Sequence, residues 1–187
     1  MDKRKVILVT DGDSVAQKAV EIAASNIGGR CISASAGNPT ILSGEEIVER
    51  IKKAVHDPVL VMVDDRGKKG KGEGEKAMEV ILKDEGIDVL GVLAVSSNGK
   101  DCNGLRVTCS IDKDGSIIEG AVDKYGNDVG DEEICGDTLS ILKGKEDMVI
   151  VGIGDPGKMD FNDETSKGAP VTTKAIQEVL NRSGFKQ

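Results

Sequence analysis

The chain has no tryptophan, one tyrosine and two phenylalanines among its 187 residues. Its core must therefore be aliphatic, built from valine, isoleucine, leucine and alanine. There is one histidine, His56, close to Pro58 in a connecting stretch, and no nucleophile motif accompanies it. Acid–base chemistry centred on that imidazole is not expected. The four cysteines, Cys31, Cys102, Cys109 and Cys135, form no CxxC pair. The closely spaced ligands of a zinc site are thus missing, and all four are expected to be reduced structural or surface thiols. No apolar run approaches the roughly 20 residues of a membrane helix. The short apolar stretch near the N-terminus is too brief for a signal peptide, so synthesis in the cytoplasm without direct membrane insertion is expected. Positive charge is also in deficit, with 25 Lys and Arg against 33 Asp and Glu and a net charge of -8. That balance argues against a nucleic-acid partner, which needs a basic surface, and against electrostatic docking on anionic lipid.

What is present is alternation. Val6–Val9 reads as a buried strand running into Thr10. Apolar residues at Val15, Ala19, Ile22, Ala23 and Ile27 follow at helical spacing, with Asp13 as N-cap and Gly28 and Gly29 as the stop. Cys31–Ser35 reads as a second strand. Ser43 and Glu46 form a capping box before "IVERIKKAV", and "VLVMV" is a third strand. A Gly/Lys-rich loop, "DDRGKKGKGEGE", whose glycines favour mobility, leads into a helix through "KAMEVILKDEG" and a fourth strand, "VLGVLAV". Near-continuous apolar strands alternating with helices specify a mostly parallel sheet covered on both faces. The fold class is α/β, a Rossmann-like three-layer sandwich, with a TOPRIM-like layout as one version. After Ser96 the pattern changes. "RVTCSIDKDGSIIEGAV" alternates around a D-K-D-G turn and predicts a β-hairpin, "DKYGNDVGDEE" an exposed loop, and "CGDTLSILKG" a short helix. "MVIVGIG" is the last strand and "VTTKAIQEVLNRSG" the C-terminal helix. The chain reads as a single domain over 1–187 with a hairpin and loop insertion at about 100–134.

Three strand ends finish in acid: Asp11 and Asp13, Asp64 and Asp65, and Asp155. In a parallel sheet, ligands bind at the carboxyl ends of strands. Carboxylates gathered there would repel unless a hard cation joined them, so Asp11, Asp13, Asp64 and Asp65 are the candidate magnesium ligands. The layout is similar to that of TOPRIM proteins, which place a Glu after the first strand and a D-x-D later; here the acids stand as D-G-D and D-D. The competing reading needs no ligand. In it Asp13 caps a helix, Asp11 makes an Asx-turn, and Asp64 or Asp65 opens a turn. Gly152, Gly154, Asp155 and Gly157 form a candidate ligand loop matching G-x-G-x-x-G and the start of a P-loop. Met159 stands where a P-loop has Ser or Thr, and "MDFNDETSKGAP" is a poor helix start.

The ordered segments "KVILVTDGD", "GGRCISASAGNPT", "LSGEEIVERI", "DPVLVMVDDRG", "GEGEKAMEVIL", "VLGVLAVSSN", "SIDKDGSI", "GDTLSIL", "VIVGIGDPGKM" and "GAPVTTKAIQEVL" together resemble the stage V sporulation protein AE family over nearly the whole chain. The resemblance implies a role in sporulation and germination of endospore formers. It implies a non-enzymatic soluble accessory of the machinery that moves dipicolinic acid as its calcium chelate. Its partners would be the membrane proteins of the SpoVA transport operon, and its place the spore, peripheral to the inner membrane. Homodimerisation stays open. The resemblance carries no catalytic residue and no cofactor. The rival readings from the residues alone are a magnesium-dependent phosphoryl-transfer enzyme or phosphoesterase, and a small-ligand sensor at the strand edge.

Overall fold

A computed structural model describes residues 2–68, 70–97, 102, 104–145 and 147–186. Strand β1 (Arg4–Val9) leads to helix α1 (Ser14–Asn26) and the two-residue strand β2 (Arg30–Cys31). Helix α2 (Gly44–Lys53), strand β3 (Val59–Met62), helix α3 (Glu73–Lys83) and strand β4 (Ile87–Val95) follow. Then come β5 (Leu105–Arg106), β6 (Cys109–Ile111), β7 (Ile117–Ile118), β8 (Glu133–Ile134), β9 (Ile150–Ile153) and α4 (Pro170–Ser183). The main sheet has seven strands in the order β2-β3-β1-β4-β9-β6-β7, parallel except for the last pair. This is the expected mostly parallel, Rossmann-like sandwich.

The sequence builds its two covering layers by simple periodicity. Strand residues alternate faces, and β1 shows what that does. Val6 and Leu8 join a core with Ile47 and Ile51 of α2 and Met78 and Ile81 of α3. Ile7 and Val9 join a second core with Val20 and Ala23 of α1 and Ile176 and Val179 of α4. All four β1 residues are fully buried, as β3 is throughout. The largest fully buried side chains are all aliphatic or Met, so the aromatic-poor composition costs the core nothing in closure.

Local signals place most elements. Asp13 caps α1 by accepting from the backbone N–H groups of Val15 and Ala16. Ser43 and Glu46 make the reciprocal capping box of α2. Gly184 ends α4 in the left-handed conformation. Two expectations are corrected. The second strand stops at Cys31, and Ser33–Ser35 is a 3-10 turn whose Ser35 hydroxyl accepts from Met62 N–H. The helix expected around "CGDTLSILKG" is only a 3-10 turn, Ser140–Leu142. The hairpin forms, with β6 and β7 joined by a turn in which the Asp112 carboxylate accepts from Asp114 and Ser116. It lies beyond β9 in the sheet, which it extends by two strands.

Candidate site at the carboxyl edge of the sheet

The chain leaves β1 toward β2 on one side and leaves β3 toward β4 on the other side of β1. Parallel sheets open a crevice at such a reversal. Two acid turns meet there. Asp11 makes the Asx-turn, accepting from Asp13 N–H at 3.1 Å. After β3, the Asp64 carboxylate accepts from Gly12 N–H at 3.2 Å and from Arg66 N–H at 2.7 Å, while Asp64 N–H donates to the Thr40 hydroxyl. Asp64 therefore laces the two turns together. The Thr10 hydroxyl seals the β1/β4 side by accepting from Val95 N–H at 3.0 Å.

Asp65 goes elsewhere. Its carboxylate accepts from Gly74 N–H at 2.7 Å and Glu75 N–H at 3.3 Å, satisfying the first turn of α3, whose own N-cap, Gly72, has no side chain to do so. Gly72 and Gly74 are what permit the approach. A Cβ on Gly72 would lie 2.1 Å from an Asp65 oxygen, and one on Gly74 would lie 2.6 Å from Asp64 N. These two glycines serve close packing rather than the mobility expected of their loop.

The turns border a cavity of about 350 Å³. Asp11, Asp13, Asp64, Asp137 and Asp155 line it against two cations, Arg66 and Lys158. Lys158 Nζ lies 3.4 Å from Asp13 and 3.9 Å from Asp155. Burial works against its ammonium, but those carboxylates outweigh it and hold its pKa above that of an ordinary lysine. Burial, then the charges of Asp13 and Asp64, push Asp11 up to about 7, although the backbone N–H groups of Asp13 and Gly12 favour its ionised form. Burial also raises Asp64 and Asp155. Excess negative charge held out of water suits a cationic group and repels a free phosphate. Among the described residues, no group of three or more His, Cys, Asp or Glu is arranged to hold a metal ion.

The glycine loop also meets the edge, though not as a nucleotide cradle. Gly152 lies inside β9 beside the Ser110 side chain, and a Cβ on Gly154 would lie 2.7 Å from Lys124 O. Helix α4 begins only at Pro170, so no helix N-terminus follows Gly157. Instead the fully buried Asp163 organises the segment. Its carboxylate accepts from Gly157, Val171 and Thr172 N–H and from the Thr172 hydroxyl.

Sequence reasoning missed Asn38, Arg66, Ser96, Ser97 and Asp137 as cavity residues, and no motif marks them. It also missed that Cys102 and Cys135 form a disulfide, leaving only Cys31 and Cys109 free. The bond lies beside the site, since Ser97 N–H donates to Cys135 O at 2.7 Å. The expectation of four reduced thiols is therefore corrected; with the two cysteines 33 positions apart in the chain, spacing alone could not pair them.

A family model described as Stage V sporulation protein AE1 matches residues 5–183. The chain belongs to the stage V sporulation protein AE family. No curated protein and no solved structure matches it. The family match runs from β1 through α4 and so takes in all of the sheet but its first residue, Arg4, and every residue of the acid edge. It ties the fold to sporulation. No helix among the described residues is long and apolar enough to cross a membrane.

Proposed function

We propose that this chain is a non-enzymatic accessory of the spore dipicolinic acid transport system, acting in sporulation and germination by docking on the membrane proteins of the SpoVA operon. Membership of the stage V sporulation protein AE family carries this reading. Two features support it. The described chain has no membrane-spanning helix of its own, and its net charge of -8 disfavours anionic lipid as the anchor, so a membrane location needs a protein interface. The test is co-purification. Tagged chain isolated from spores after mild crosslinking is expected to carry the operon's membrane proteins. Full recovery in the soluble fraction, free of crosslinks to them, overturns the reading.

The edge cavity supports a second reading, a sensor of a small cationic ligand. Calorimetric titration with Mg²⁺, Ca²⁺ and calcium dipicolinate, repeated on Asp64→Asn, separates the two. Saturable heat lost in the variant would make the edge a ligand site, and Mg²⁺ alone giving that heat would revive phosphoryl chemistry.

A further inference from the structure

A second cavity, of about 520 Å³, adjoins the acid edge and shares Asp155 and Lys158 with it. Tyr125 and Phe161 stand on its walls, 45 % and 74 % exposed. A chain with three aromatic residues and an aliphatic core leaves two of them facing water on one concave surface. Single exposed apolar residues are ordinary, whereas grouped ones mark contact surfaces. The backbone beneath Phe161 is also held in an unfavourable state. Met159, Asp160 and Phe161 are consecutive left-handed non-glycine residues, with φ of 50°, 52° and 68°. Such strain persists only where the surroundings impose it. Here the buried Met159 side chain anchors one end of the segment and Asp163 clamps the other. The chain's own packing gains nothing from the result, a phenylalanine projected into solvent.

We propose that this groove docks a segment of a protein partner in which a lysine or arginine neighbours a large apolar residue. The apolar side chain fills the space between Tyr125 and Phe161, and the cation enters the adjoining acid cavity. Charge complementarity selects this occupant. Five carboxylates face the adjoining cavity against two cations, the groove itself sets Asp155, Asp160 and Glu164 against Lys158 and Lys124, the latter 4.9 Å over the Tyr125 ring, and the chain as a whole carries -8. The same balance disfavours an anionic membrane surface. The exposed ring of Phe161 adds a face for the incoming cation. The inference rests on the docking reading above for the existence of a protein partner, and it adds the surface and the partner's chemistry.

The probe is a library of random peptides selected on the immobilised full chain, with selected sequences then synthesised and titrated. Expected are peptides enriched in Lys or Arg beside Leu, Ile, Phe or Trp, with binding weakened by salt and at least about tenfold weaker to Phe161→Ala or Tyr125→Ala. Both side chains are substantially exposed, so the variants should keep the parent's melting temperature, which is checked alongside. No enrichment, enrichment of acidic peptides, or equal binding to the variants overturns the proposal. So does Phe161-dependent binding to phosphatidylcholine or phosphatidylglycerol vesicles in place of peptides, which would make the groove a lipid contact. Co-purification with spore membrane proteins that Phe161→Ala leaves intact removes the groove but leaves the docking reading. Peptide binding through Phe161 without any co-purification does the reverse.

Discussion

Asp11 is the residue at which the structure predicts a gain in stability from the loss of a charge. Its carboxyl is raised from 3.8 to about 7, first by burial and then by the charges of Asp13 and Asp64. An acid whose folded pKa exceeds its unfolded one favours folding while protonated. As pH rises from about 4 to about 7, the unfolded chain ionises Asp11 while the folded chain does not, and stability falls. Above about 7 the loss is complete. At about 1.4 kcal/mol per pH unit the shift corresponds to a ceiling of about 4 kcal/mol. Partial exposure, and sharing of the proton among Asp11, Asp13 and Asp64, reduce this to roughly 2–4 kcal/mol. Asp11→Asn removes the titration yet keeps an oxygen to accept from Asp13 N–H. The variant should match the parent near pH 4 and exceed it at pH 8, raising the melting temperature there by roughly 5–15 °C for a chain of this size. The assay is urea and thermal unfolding of both proteins at the two pH values, with EDTA present so that trace cations do not neutralise the carboxylates. An equal effect at both pH values, or destabilisation at pH 8, refutes the reasoning. It would mean that Asp11 is well solvated or well paired when ionised.

The other acids should behave differently. Asp65→Ala strips the first turn of α3 of its acceptor and should cost about 1–3 kcal/mol in urea unfolding; a neutral result would show that water replaces the carboxylate. Asp163→Ala leaves three backbone N–H groups unpaired, two of them buried, and should cost about 3 kcal/mol or more, with proteolysis appearing first around residues 157–169. Gly74→Ala forces a methyl against the backbone of Asp64 and should cost about 1–3 kcal/mol, whereas Gly70→Ala, with nothing near its Cβ position, should show only the smaller strain of its positive φ. Thiol titration of the denatured, unreduced protein should find two reactive cysteines, Cys31 and Cys109; four would show that Cys102 and Cys135 do not bond.

How far the sequence could be read follows from the range of the forces involved. Elements fixed by neighbours in the chain were legible. The Asp13 cap, the Ser43 and Glu46 box and the D-K-D-G turn each close within four residues and appear as expected. So was the two-faced burial of β1, because apolar runs without alternation require cover on both sides. Short elements misled, since β2 and the turn at Ser140–Leu142 are held by contacts to β3 and to Glu75 rather than by their own propensity. The hairpin was legible as a hairpin, but its place outside β9 depends on pairing between Cys109 and Val151, far apart in the chain, which no local pattern encodes.

The acid edge shows why the structural and ligand-binding readings of its aspartates were never true alternatives. Asp13 caps α1 with one carboxylate oxygen and meets Lys158 with the other. Asp64 accepts from two backbone N–H groups and still lines the cavity. A carboxylate has room for about four hydrogen bonds, so a turn can be closed and a face left over. The decisive property is then the balance of charge around the space, which depends on Arg66 and Lys158 from the turns of Asp64 and Asp155 and on Asp137 arriving from a separate segment. Asp65 marks the limit of that logic. It is adjacent to Asp64 in sequence, yet successive residues leaving a strand point to opposite sides, and its carboxylate is consumed by α3. Exchanging the two roles is therefore a sharp test of the site. Asp64→Asn should change the electrostatics of the cavity, seen as a shift in any cation-binding heat with a modest loss of stability. Asp65→Ala should lower stability and leave that heat unchanged. The opposite pattern would place the functional carboxylate on the α3 side of the sheet edge.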